Sequence, residues 1–169
     1  VAVARLPSSY NADEGGSSIA IDVRALHVAR LETGAALSGR PGAFTLQGTL
    51  HYASTDDAAA ALTVTRLDVP DTYRLDGTLK DGVISGTASV REGTQGLAAG
   101  LLGLNAVGAI SLDAVAGGPR TANTVAFTLK AGALDATGKG TIDLPGAAAD
   151  IDFSATAPAM ALRPDLSWA

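Results

Sequence analysis

The chain has 169 residues, 34 of them Ala and 20 Gly, with 1 Trp, 3 Tyr and 3 Phe, yet 47% of its residues are apolar. That hydrophobicity excludes classical disorder, and the scarcity of large side chains argues against the thick core of a conventional globular enzyme. A net charge of −5 with scattered Lys and Arg excludes a basic nucleic-acid face, and the absence of Cys excludes disulfides and thiolate chemistry.

The dominant period along the chain is two. Ile19, Ile21 and Val23 alternate with polar or small neighbours and predict a first strand near 18–24. The following stretch, Ala25 to Ala36, carries Leu26, Val28 and Leu31 off that period. It reads as either a short amphipathic helix or a further edge element. After Arg40-Pro-Gly42, the residues Phe44, Leu46, Gly48, Leu50 and Tyr52 alternate with Thr45, Gln47, Thr49 and His51, predicting a strand over 42–53. Further strands are expected at 60–67 and 71–80, where Tyr73, Leu75, Gly77 and Leu79 alternate with Arg74, Asp76, Thr78 and Lys80. Asp81-Gly82 has the composition of a tight hairpin leading into 83–91.

The segment Gly96 to Leu104 is too rich in Gly for a long helix. It reads as a helical turn or packed loop that plugs the end of a hydrophobic layer with Leu97, Leu101, Leu102 and Leu104. Strands near 108–115, 122–131, 133–143 and 148–156 follow, with turns at Gly117 to Arg120 and at Pro145-Gly146. One face apolar and one face wet is the pattern of an antiparallel sheet that meets water on one side.

A repeat is visible within these strands. Phe44-Thr-Leu-Gln-Gly-Thr-Leu-His51 matches Tyr73-Arg-Leu-Asp-Gly-Thr-Leu-Lys80, and Ala136-Thr-Gly-Lys-Gly-Thr-Ile-Asp143 and Ile84-Ser-Gly-Thr-Ala-Ser89 are looser copies. Each carries a Gly in phase with its apolar residues. A unit of about one hairpin predicts an elongated, neighbour-stacked β architecture.

The groups able to carry chemistry do not assemble into a site. His27 and His51 are the only histidines, and neither has the three or four converging ligands that zinc needs. Asp150 and Asp152 share a face, which reads as an acidic solvated surface that discourages aggregation. Gly138-Lys-Gly140 lacks the spacing, the Ser or Thr and the following helix of a phosphate loop. No Gly-x-Ser-x-Gly elbow occurs. The expectation is a non-enzyme without cofactor or metal, whose apolar face is its working surface.

Several phrases resemble the repetitive periplasmic region of TamB proteins, translocation and assembly module subunits of the AsmA-like superfamily. They are Ile21-Asp-Val-Arg-Ala-Leu26, Tyr73-Arg-Leu-Asp-Gly-Thr-Leu79, Gly96-Leu-Ala-Ala-Gly-Leu-Leu-Gly-Leu104, Ala109-Ile-Ser-Leu-Asp-Ala114 and Ala155-Thr-Ala-Pro-Ala-Met160. The resemblance implies that residues 1–169 are one fragment of a repetitive β domain in the periplasm of a Gram-negative bacterium. It implies a longer protein anchored in the inner membrane, with an Omp85-type, TamA-like outer-membrane partner met through other parts of the chain.

The expected fold is therefore all-β: an elongated, curled, antiparallel-rich sheet, a β-taco or β-helix-like trough, with a hydrophobic inner face and at most one or two short helices. The expected function is a groove that carries phospholipid acyl chains between membranes and supports outer-membrane protein assembly. Its expected lining is Ile21, Phe44, Leu46, Leu50, Leu62, Tyr73, Leu75, Val125, Phe127, Leu129, Ile151 and Phe153. Two alternatives stand beside it. One is a scaffold that binds strands of outer-membrane proteins or autotransporters by β-augmentation, with edge-to-edge self-association of the fragment. The other is a closed β-sandwich or adhesin passenger-type domain. Nucleic acid is not an expected partner.

Overall fold

A computed structural model describes residues 20–35, 41–94, 96–101, 108–158, 160–163 and 166–168. Nine strands follow in chain order: β1 (Ile21–Thr33), β2 (Gly42–Ser54), β3 (Asp57–Arg66), β4 (Thr72–Lys80), β5 (Val83–Glu92), β6 (Ile110–Pro119), β7 (Asn123–Ala131), β8 (Leu134–Asp143) and β9 (Ala148–Thr156). A five-residue helix, α1 (Leu97–Leu101), precedes β6. Two short strands that the alternation does not mark, β10 (Met160–Arg163) and β11 (Leu166–Trp168), pair with each other.

The nine strands pair antiparallel in sequence order into one curled sheet that does not close. The two-sheet sandwich given above as an alternative is not formed by the described residues, because all nine strands share one sheet. The connection between β4 and β5 is two residues long for a physical reason. Asp81 and Gly82 both take positive φ, 49° and 75°, as the two central residues of a hairpin turn whose twist matches its flanking strands.

The stretch from 25 to 33 continues β1 and forms no helix. Ile21 and Val23 lie opposite Tyr52 and Leu50, Leu26 and Val28 opposite Gly48 and Leu46, and Leu31 opposite Phe44. Register shifts fall between Val23 and Leu26 and between Val28 and Leu31. Each shift inserts an extra residue, so the apolar positions change parity twice and imitate helical spacing while staying on one face.

The registers join into rows across the sheet. One reads Leu26, Gly48, Leu62, Leu75, Ala88, Ala114, Phe127, Gly138, Phe153 from β1 to β9. The next reads Val23, Leu50, Ala60, Gly77, Gly86, Ala116, Val125, Gly140, Ile151. The row between them, Thr49, Ala61, Asp76, Thr87, Val115, Ala126 from β2 to β7, points the other way, as does the row Gln47, Thr63, Arg74, Ser89, Asp113, Thr128 on the far side of the first.

At Gly48 an added Cβ would run into the carbonyl oxygen of Ala61, and at Gly140 into that of Asp150. The neighbouring strand therefore leans over these two positions, which only Gly tolerates. Of the matching glycines of the repeat, Gly48 and Gly140 thus sit where a neighbouring backbone approaches closely, whereas Gly77 does not.

The best-packed region lies where β5, β7 and the starts of β6 and β8 meet α1. Ala99, Ile110 and Ala131 are buried there, with Val90, Leu129 and Leu134 packed around them. Burial of a side chain the size of Ile110 contributes about 2 kcal/mol. The expected plug of Leu97, Leu101, Leu102 and Leu104 is not what the cluster contains: from residues 96–104 it takes Ala99. Leu97 belongs to α1, the side chain of Leu101 is not described, and Leu102 and Leu104 lie outside the described residues.

Candidate functional site

All twelve residues expected to line a groove occupy positions on the same face. Ile21, Phe44, Leu46 and Leu50 come from β1 and β2, Leu62, Tyr73 and Leu75 from β3 and β4, and Val125, Phe127, Leu129, Ile151 and Phe153 from β7 to β9. They are not one cluster. Phe44 is buried and meets Tyr73 edge-on, with ring centroids 6.3 Å apart. Phe127 and Phe153 form a second aromatic pair at 6.3 Å. Away from α1 the same face is bare: Leu50, Leu75, Ile151 and Phe153 are 39%, 50%, 42% and 62% exposed.

Between these large side chains lies a row without them. Ala60, Gly77, Gly86 and Ala116 are consecutive across β3 to β6. They floor a hollow of about 500 Å³ whose rim includes Leu50, Leu75, Leu79, Ile84, Val125 and Phe127. At about 4.8 Å between strands, the floor is roughly 14 Å long and runs across the strands. A Cβ at Gly77 would meet nothing closer than the Ser85 carbonyl oxygen at 3.8 Å, so the space above it is open.

A larger hollow, about 860 Å³, lies on the opposite face, where apolar groups such as Ala61 and Val115 are interspersed with Gln47, Thr63, Arg74, Asp76, Ser89 and Asp113. A twisted sheet is concave along one diagonal on each side. Water satisfies these polar side chains, whereas it leaves the apolar hollow unsatisfied, so chemistry rather than volume singles out the smaller one.

The polar face carries ion pairs. Lys80 Nζ donates to Asp57 Oδ2 at 2.6 Å, Arg91 Nη2 reaches both carboxylate oxygens of Asp113 at 2.7 Å, and Lys130 Nζ donates to Asp135 at 2.6 Å. The Lys80 hydrogen bond holds the Asp57 carboxyl below its usual range, and the same bond raises the Lys80 ammonium above its own. His51 lies 3.8 Å from Asp57 on this face. Among the described residues no three His, Asp or Glu side chains converge as metal ligands.

Sequence reasoning missed two buried carboxylates that shape one end of the site. Glu92 is buried at the end of β5 and accepts hydrogen bonds from Tyr73 Oη at 2.5 Å, Ala98 N at 2.5 Å and Ala99 N at 3.1 Å. It fastens α1 over the sheet by satisfying amides that a helix start leaves without partners. Burial, followed by the hydrogen bond to Glu92 and its charge, pushes the Tyr73 phenol far above its ordinary value. Asp71 accepts from Gly93 N at 2.8 Å and from Arg66 Nη1 at 3.4 Å. A signal for Glu92 was present: it stands in phase with Ile84, Gly86, Ala88 and Val90, a charge in an apolar row.

Compared with known proteins, the sequence matches no family model and no curated protein, and the fold matches no solved structure. No helix among the described residues is long and apolar enough to cross a membrane.

Proposed function

We propose that this chain is a non-enzymatic, TamB-like segment whose apolar face receives phospholipid acyl chains. One observation carries the reading: apolar and small residues stay on one side of the sheet through nine strands, and that side is uncovered over the floor of Ala60, Gly77, Gly86 and Ala116. Exposed contiguous apolar surface of this kind marks a binding site. An acyl chain suits it because hydrocarbon asks for no polar partner, and the rows offer none.

In this reading the rim residues Leu50, Leu75, Val125 and Phe127 form the hydrophobic inner wall of a groove running across the strands. About ten methylenes buried there contribute roughly 8 kcal/mol before the costs of association. Work between the inner and outer membranes, an inner-membrane anchor and an Omp85-type partner belong to the same proposal through the resemblance to TamB proteins.

The test is lipid co-purification measured by native mass spectrometry. Wild-type chain carries phospholipid, and Leu75→Asp or Phe127→Asp loses it while the far-UV circular dichroism of the sheet persists. Equal lipid content in these folded variants defeats the proposal.

A further inference from the structure

We propose that the edge of β9, which no described strand pairs with, is a self-association surface on which a second copy of this chain pairs antiparallel, about a two-fold axis at Phe153. The two edges of the sheet are built differently. β1 is interrupted by two register shifts, a common means of blunting an edge. β9 has none: from Asp135 opposite Thr156 to Asp143 opposite Ala148, its pairing with β8 is unbroken. All nine of its residues are exposed, and it contains neither Pro nor Lys. Its guards are Asp150 and Asp152 alone, which oppose pairing only in registers that set one carboxylate against another, and a long, regular edge is otherwise a template for another strand.

The side-chain pattern of β9 selects a copy of itself as the occupant. Asp150 and Asp152 share one face, and Ile151 and Phe153 the other. A two-fold axis at Ile151 sets Asp150 directly against Asp152 of the second copy, and an axis at Asp152 sets that carboxylate against its own equivalent. Like charges directly opposite are destabilising. An axis at Phe153 gives the longest overlap that avoids this. It pairs Asp152 with Ser154, Asp150 with Thr156 and Ile151 with Ala155, so each carboxylate faces a hydroxyl donor. The two Phe153 rings then adjoin, and the apolar rows of both sheets run on from one copy into the next. A pairing of this edge with β1 of another copy would grow without end, and the register shifts of β1 oppose it.

Sedimentation velocity of the whole chain across a concentration series tests the proposal. The wild type forms a dimer and nothing larger. Ser154→Asp places a carboxylate opposite Asp152 twice per dimer and weakens dimerisation about tenfold, whereas Ser154→Lys tightens it. The chain has no Cys, so a single introduced thiol reports the register cleanly. Under mild oxidation Phe153→Cys forms a disulfide-linked dimer, because cross-strand partners lie within disulfide reach. Ile151→Cys does not, its two copies being four residues apart along the edge, about 13 Å. A chain that stays monomeric at all concentrations overturns the proposal. So does an open-ended polymer, a dimer indifferent to charge at position 154, or equal crosslinking from positions 151 and 153.

Discussion

Gly48 and Gly77 occupy the same place in two copies of one sequence repeat, yet the structure assigns them opposite responses to the same added methyl. At Gly77 the new Cβ has its nearest neighbour, the Ser85 carbonyl oxygen, at 3.8 Å, an ordinary contact. Gly77→Ala therefore adds no strain and reduces the freedom of the unfolded chain. It stabilises by about 0.5–1 kcal/mol, or roughly 1–4 °C in Tm for a chain of this size. At Gly48 the new Cβ collides with the Ala61 carbonyl oxygen and lies 2.7 Å from Leu62 Cδ2. Two adjacent strands have to move apart, and overpacking of that kind costs about 1–3 kcal/mol. Gly48→Ala therefore lowers Tm by several degrees. Thermal melts of both variants followed by circular dichroism decide the matter. Equal shifts of the same sign would refute the view that a neighbouring carbonyl closes over Gly48 and leaves Gly77 open.

Two further outcomes follow from the polar contacts. Glu92→Ala removes the acceptor for three hydrogen bonds to α1 and Tyr73; it costs about 3 kcal/mol in guanidinium denaturation and speeds amide exchange at Ala98 and Ala99, while Glu92→Gln retains part of both. The Asp57–Lys80 pair gives a pH dependence of known sign: the depressed Asp57 pKa contributes stability that is present above the ordinary carboxylate range and lost as pH falls through the folded value. The raised Lys80 pKa contributes stability that is present below the ordinary ammonium range and lost as pH rises through its folded value. In a carboxyl-carbon NMR titration Lys80→Met moves the Asp57 midpoint upward, and an unmoved midpoint contradicts the pairing.

Much of the sheet was legible because its strands obey one rule, alternation, with turns marked by Gly, Pro and Asp. The boundaries that slipped did so where side chains carry no phase. β3 begins at Asp57, ahead of the expected 60, since Ala58, Ala59 and Ala60 look alike on both faces. β6 runs to Pro119 through Ala116, Gly117 and Gly118 for the same reason. The second half of β1 was ambiguous because two bulges shifted the parity of Leu26, Val28 and Leu31, and a period count cannot tell a twice-shifted strand from a helix turn. The lining residues were legible as a face, since alternation fixes the side on which each lies. The bare floor of Ala60, Gly77, Gly86 and Ala116 was not, because it exists only once four strands are placed in register.

The most direct test of the acyl-chain proposal uses photocrosslinking amino acids placed one at a time along β4, at Arg74, Leu75, Asp76, Gly77, Thr78 and Leu79, in the presence of radiolabelled phospholipid. The account predicts lipid adducts from 75, 77 and 79 and none from 74, 76 and 78, a period of two that follows the apolar face. Adducts from both sets alike, or from neither, would contradict it.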